Sequence, residues 1–131
     1  YFNDYRWIQK NDSSFIDIKD TIREHRKTLS FIKKEVALHP KKQIVVVTHH
    51  APCFPRTGYD CHGLESAYVN GLDDYLSSVP NITEWIHGHI HTMEPYKKAL
   101  GTHTLRLIGN PRGYYNQDEK AQRWKLRTFK V

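Results

Sequence analysis

The stretch Gln43-Ile44-Val45-Val46-Val47-Thr48-His49-His50-Ala51-Pro52 decides the fold. Its unbroken β-branched run predicts a central strand covered on both faces, since a strand with one wet face would alternate apolar with polar residues. The run stops at His49-His50-Ala51-Pro52, and Pro55, Gly58 and Gly63 then mark a long loop holding both cysteines, Cys53 and Cys61. A loop that long between regular elements more often serves a function than not. Upstream, Ile18, Ile22, His25, Leu29, Ile32 and Val36 recur at steps of three and four, the buried stripe of a long helix. Asp17 and Asp20 suit its first turn, Lys33 and Lys34 its later part, and Pro40 lies beyond its end. His25, within the stripe, reads as a hydrogen-bonded core residue. The first fifteen residues read as a strand end and loop, with Tyr5 and Trp7 packed inward.

Downstream, Ala67 to Val79 predicts a second helix with Leu72, Leu76 and Val79 inward, ended by Pro80-Asn81. Ile82 to Ile86 is a second strand, running into His87-Gly88-His89-Ile90-His91. Tyr96 to Leu100 and Thr102 to Ile108 form a hairpin around Gly101, Asn110-Pro111-Arg112-Gly113-Tyr114 a turn, and Arg123 to Val131 a last strand. The predicted class mixes helices and strands, α/β or α+β.

The 131 residues give room for one domain. A hydrophobic content of 38%, with three Trp, eight Tyr and five Phe, supplies a core and excludes wholesale disorder. No run approaches the ~18 apolar residues of a membrane span, so no membrane partner is expected. The chain starts at Tyr1 and its sole methionine is Met93, which reads as a cut made inside a longer protein. Nothing near Tyr1 has the sections of a secretory signal, so a cytoplasmic, reducing compartment is expected. The cysteines form neither a Cys-x-x-Cys nor a zinc pattern and are given no chemical role. The net charge is +6, and basic residues are densest from Lys120 to Lys130. Attraction to a nucleic acid or phosphorylated substrate is one reading. The alternation in Arg123-Trp124-Lys125-Leu126-Arg127 explains the run more simply as the solvated face of an edge strand.

Four histidines carry the chemistry: His49 and His50 at the end of one predicted strand, His89 and His91 at the end of another. Strand side chains two apart project the same way, so His89 and His91 can converge, and Gly88 between strand and histidine permits close backbone approach. Neutral imidazole is the commonest nitrogen ligand for Zn, Mn or Fe ions. His-x-His alone is a weak signal. Strand-His-His-Ala-Pro followed about forty residues later by strand-Gly-His-x-His is far more specific.

These motifs, with Gly109-Asn110-Pro111-Arg112-Gly113-Tyr114, resemble the C-terminal half of the calcineurin-like metallophosphoesterases over essentially the whole chain. The resemblance implies the C-terminal half of a β-sandwich flanked by helices, with two divalent metal ions (Mn, Fe or Zn) at the sheet ends. It also implies a hydrolase acting on a phosphomonoester or phosphodiester by a two-metal mechanism. His49 and His89 would bind one ion and His91 the other. His50 would line the pocket, and Asn110, Arg112 and Tyr114 would face the substrate, a phosphorylated small molecule or a nucleic acid. For Arg112 a structural salt bridge is an equal reading, and His87, despite its parity with the ligands, has no ligand role in the family pattern.

The family's Asp-x-His, Gly-Asp and Gly-Asn-His motifs, including its general-acid histidine, should precede the long helix, and none is here. Asp60-Cys61-His62 spells the first of them in the wrong place, a loop after the histidine pair. The chain is therefore expected to be inactive alone and to bind one metal weakly at best. A missing N-terminal segment or a second chain would complete the site. The competing reading is a non-catalytic module presenting Trp124, Tyr114 and basic residues to a nucleic acid or protein, which leaves the histidines unexplained.

Overall fold

The structure is a computed structural model that describes residues 3–54, 69–90, 95–114, 116, 124–126 and 128. The chain divides into two compact units, Tyr1–Pro40 and Lys41–Val131.

The first unit is helical. A four-residue helix, α1, spans Asp4–Trp7 where a strand end is expected, and Trp7 is 78% exposed instead of packed inward. Tyr5 is half-buried, its hydroxyl sharing a hydrogen bond with Thr21 Oγ1 at 3.1 Å. The long helix, α2, runs over Ile18–Leu38, the predicted span. Its start is fixed by a reciprocal capping box. Asp17 accepts a hydrogen bond from the Asp20 backbone N–H at 2.8 Å, and Asp20 accepts one from the Asp17 N–H at 3.1 Å. Of the predicted stripe, Ile32 and Val36 are buried and Leu29 is half-buried, whereas Ile18, Ile22 and His25 are exposed. His25 is thus a surface residue. The periodicity found the helix but overstated how much of its apolar face is covered.

The second unit holds a four-stranded sheet: β1 (Ile44–Val47), β2 (Ile82–His87), β3 (Tyr96–Leu100) and β4 (His103–Gly109), in the order β1-β2-β4-β3. β1, β2 and β4 are parallel, with Val47 beside Ile86 and His87 beside Gly109. β3 pairs antiparallel to β4 across the two-residue turn Gly101-Thr102, and Gly101 takes the positive φ (64°) that such turns demand. The architecture is mixed α+β. β1 corrects the expectation of a central strand. Among the described residues it lies at the sheet edge, and Val47 is 69% exposed. The interior strands are β2 and β4, and on β4 Leu105, Leu107 and Ile108 are all buried. An unbroken apolar run cannot by itself distinguish the two positions.

The expected second helix is short. α3 covers Asp73–Ser77, with Leu76 buried and Leu72 and Val79 half-buried; Val69 instead forms a bridge with Ala51. α3 lies against β3, tied to it where Lys98 donates to Asp73 and to the Phe54 carbonyl (2.9 Å). The core gathers around Trp85, Leu76, Ile82, Leu105 and Leu107. Among the described residues one carboxylate enters it. Glu84 is buried but accepts hydrogen bonds from Thr83 and, across the sheet, from Arg106 Nη1 at 3.1 Å. Of the predicted last strand, residues 124–126 and 128 are irregular, and the remainder lies outside the described residues. Among those described, no helix is long and apolar enough to cross a membrane.

Candidate metal centre

Three parallel strands ending side by side put three loop starts at one end of the sheet: His49-His50 after β1, Gly88-His89 after β2, and Asn110 after β4. Carboxyl ends of neighbouring parallel strands are where open α/β sheets bind ligands, because the side chains there project from a rigid frame.

The two histidine segments are laced together. Thr48 N–H donates to the Ile86 carbonyl at 3.0 Å, and Gly88 N–H to the His49 carbonyl at 3.0 Å, extending the ladder one step past each strand. Gly88, His89 and Ile90 then form a tight three-residue turn closed by Ile90 N–H to the Gly88 carbonyl at 2.6 Å. His89, at its centre, has φ of +56°. A side chain in that region is uncommon and strained, and such strain persists where the surroundings enforce it, often at functional sites. Crowding does not demand the glycine at 88. A β-carbon there would sit 3.5 Å from His49 Nδ1, an ordinary contact.

This turn brings His89 Nδ1 to 3.2 Å from His49 Nε2. Two nitrogens bound at ~2.0–2.1 Å to one tetrahedral ion stand roughly 3.3 Å apart. The pair therefore has the spacing of two ligands on one ion, and its two imidazoles are the donor type that Zn, Mn and Fe accept. His49 is exposed and His89 half-buried, so the pair is open to solvent on one side. His50 packs its ring against His89, with centroids 4.5 Å apart, and edge-on to His49 at 5.2 Å, lining the pair rather than joining it. Among the described residues no three His, Cys, Asp or Glu side chains form a metal-holding set. The expected third ligand, His91, lies outside the described residues, as does the Asp60-Cys61-His62 loop.

The turn after β4 is organised by the chain's later residues. Asn110 Nδ2 donates to the Lys125 carbonyl at 3.3 Å, and Trp124 Nε1 donates to the Asn110 carbonyl at 3.2 Å. Asn110 thus spends its amide on a strap, while Arg112 and Tyr114 are exposed. His87, at the end of β2, is buried. Burial holds its imidazole below the usual range, against the opposing effect of the hydrogen bond from its Nδ1 to the Gly88 carbonyl. Its Nε2 has no hydrogen-bond partner among the described residues. Cys53 is a buried, unbridged thiol, pushed up to about 11 by burial, which makes it a poor nucleophile.

Sequence reasoning passed over Thr48 and Trp85. Trp85 Nε1 donates to Thr48 Oγ1 at 2.7 Å, and Thr48 Oγ1 donates to the His50 carbonyl at 2.7 Å. A signal was available: a Trp in a buried strand needs an acceptor for its N–H, and Thr48 is the polar residue ending the neighbouring run.

No protein-family model matches the chain, and no solved structure does. It is similar to the uncharacterized protein L509 of Acanthamoeba polyphaga mimivirus, at 29% identity over 135 residues, covering 89% of this chain and 48% of that protein. The chain thus spans about half the length of the curated relative it matches.

Proposed function

We propose that this chain supplies part of a metallophosphoesterase centre, and that the intact protein hydrolyses a phosphomonoester or phosphodiester. The observation that carries the reading is the 3.2 Å separation of His49 Nε2 and His89 Nδ1 at the ends of two parallel strands. The likeness of the His49-His50-Ala51-Pro52, Gly88-His89-Ile90-His91 and Asn110-Pro111-Arg112 segments to the calcineurin-like family supports it. In this reading His49 and His89 hold one divalent ion and His91 helps to hold a second. The four strands form the C-terminal half of a sandwich whose other half brings the carboxylates.

Bound ions would supply charge neutralisation on the phosphoryl group and activation of water. The chain's own residues set the donors and shape the approach. The strained turn at His89 aims one imidazole, the ladder step from Gly88 to the His49 carbonyl aims the other, and the His50 ring walls the pair. Arg112 and Tyr114 are exposed beyond β4 at the same end of the sheet, where an incoming anionic substrate would meet them.

Assay of the intact protein on a nitrophenyl phosphate ester with added Mn²⁺ tests this. His89→Ala is expected to abolish turnover, and unchanged turnover would defeat the assignment. The 131-residue chain by itself is expected to be inactive and to bind one ion weakly. Two tightly held ions per chain would show that the ligand set is wrong.

A further inference from the structure

Two hydrogen bonds, from the Trp85 indole to the Thr48 hydroxyl and from that hydroxyl to the His50 carbonyl, set the geometry of the His49-His50 turn; we infer that Thr48 and Trp85 are positioning residues for the metal pair. The inference rests on the metal centre proposed above.

The direction of each bond follows from chemistry alone. The indole nitrogen of Trp85 can only donate, and a threonine hydroxyl has a single proton. At 2.7 Å from the indole nitrogen, Thr48 Oγ1 must accept there, so its proton is committed to the His50 carbonyl, also at 2.7 Å. Trp85 is 1% exposed and sits opposite Val46 in the β1–β2 register, so the indole N–H has a fixed address two residues short of the turn. The relay therefore carries the rigidity of the buried sheet to the first irregular peptide beyond β1.

What that peptide controls is visible in the surrounding bonds. Thr48 N–H is held by the Ile86 carbonyl and the His49 carbonyl by Gly88 N–H. The relay pins the next carbonyl, that of His50. Beyond it, Asn70 N–H holds the Ala51 carbonyl at 3.1 Å and Leu72 N–H holds the Pro52 carbonyl at 2.8 Å. Every carbonyl from His49 to Pro52 is thus anchored: Ala51 by both the backbone N–H and the side-chain amide of Asn70, and His50 by the Thr48 hydroxyl. Removing the hydroxyl takes away the hold on that carbonyl next to the imidazole at 49, and so loosens the setting that places Nε2 3.2 Å from His89 Nδ1. Groups that orient metal ligands without touching the ion typically alter affinity ten- to hundred-fold when removed.

The test titrates Co²⁺ alone into the wild-type protein and into Thr48→Val, Thr48→Ser, Trp85→Phe and His89→Ala, following the visible Co²⁺ bands, well below each variant's melting temperature. Thermal unfolding is recorded separately in chelator. Thr48→Val keeps the shape of the side chain but removes the hydroxyl. It is expected to weaken Co²⁺ binding about ten- to hundred-fold and to change the band shape. Trp85→Phe should do less, since the hydroxyl still reaches the His50 carbonyl, and Thr48→Ser should restore wild-type binding. A purely structural role would lower the melting temperature and leave the folded protein's affinity and bands unmoved. That outcome, or Thr48→Ser binding as poorly as Thr48→Val, overturns the inference while His89→Ala still marks the site. If wild type binds Co²⁺ no better than His89→Ala, the metal centre itself falls and takes the relay's role with it.

Discussion

The two units of this chain are held by opposite kinds of contact. In residues 1–40 most of the side-chain bonds join near neighbours at the surface, such as the Asp17–Asp20 box, Arg23 to Asp20 at 2.7 Å and Lys27 to Glu24 at 2.9 Å. The longest among the described residues, Tyr5 to Thr21, spans sixteen positions. Much of the apolar face of α2 stays open, with Ile18 62% exposed. In residues 41–131 several bonds join residues tens of positions apart. Trp85 reaches Thr48, Arg106 reaches Glu84, and Lys98 reaches Asp73, all around buried side chains. Exposed local pairs each contribute a few tenths of a kcal/mol, whereas a buried aliphatic side chain contributes several times that. Mutational sensitivity should therefore concentrate in residues 41–131, the stiffer unit, which also carries the histidine pair.

The sharpest test of that contrast is Leu107→Ala. Leu107 is fully buried on β4, between β2 and β3, so truncation removes apolar burial and leaves a cavity. Chemical denaturation followed by Trp fluorescence is expected to report a loss of about 2–5 kcal/mol. A loss below that of a surface pair would mean the sheet is not the stable element.

A smaller effect separates function from stability inside the stiff unit. His89 sits at φ +56°, where a β-carbon is disfavoured and glycine is not. His89→Gly is therefore expected to be more stable than His89→Ala by about 1 kcal/mol or somewhat more, although both lack the imidazole. Paired denaturation curves measure this, and equal stabilities would show that the turn relaxes and holds no strain.

The same contrast explains what was legible in the sequence. α2 was readable to within a residue because its signals are local: Asp17 and Asp20 at the cap, and a three-and-four spacing along the stripe. β2 and the β3–β4 hairpin were readable for similar reasons. The sheet order was not. Ile44-Val45-Val46-Val47 has the composition of a central strand, but whether a strand is central depends on what pairs with its far side, and no residue within the run encodes that. Trp7 lies exposed where an inward position is expected, because an isolated aromatic carries no periodic signal. At the site, strand ends and residue types pointed to His49 and His89. The positive φ at His89 and the Trp85–Thr48–His50 relay depend on contacts between segments about forty residues apart, invisible to spacing alone.

The smallest predicted effect lies at the start of α2 and carries a pH signature. Asp17→Ala removes the acceptor for the Asp20 N–H, and loss of such a cap lowers helix stability by about 1 kcal/mol. The other half of the box titrates. The Asp20 carboxylate accepts from the Asp17 N–H first, then from Lys10 and Arg23, and these bonds hold its pKa down to about 2. A carboxylate with a lower pKa in the fold than in the open chain stabilises the fold at pH above about 4. That contribution fades as pH falls from about 4 towards 2, where the folded form also takes up its proton. Helicity measured by far-ultraviolet circular dichroism should therefore decline through that window, and Asp20→Asn should flatten the Asp20-dependent part of the decline. If Asp17→Ala cost as much as Leu107→Ala, the helical unit would not be the locally held one, and the contrast between the two regions would be lost.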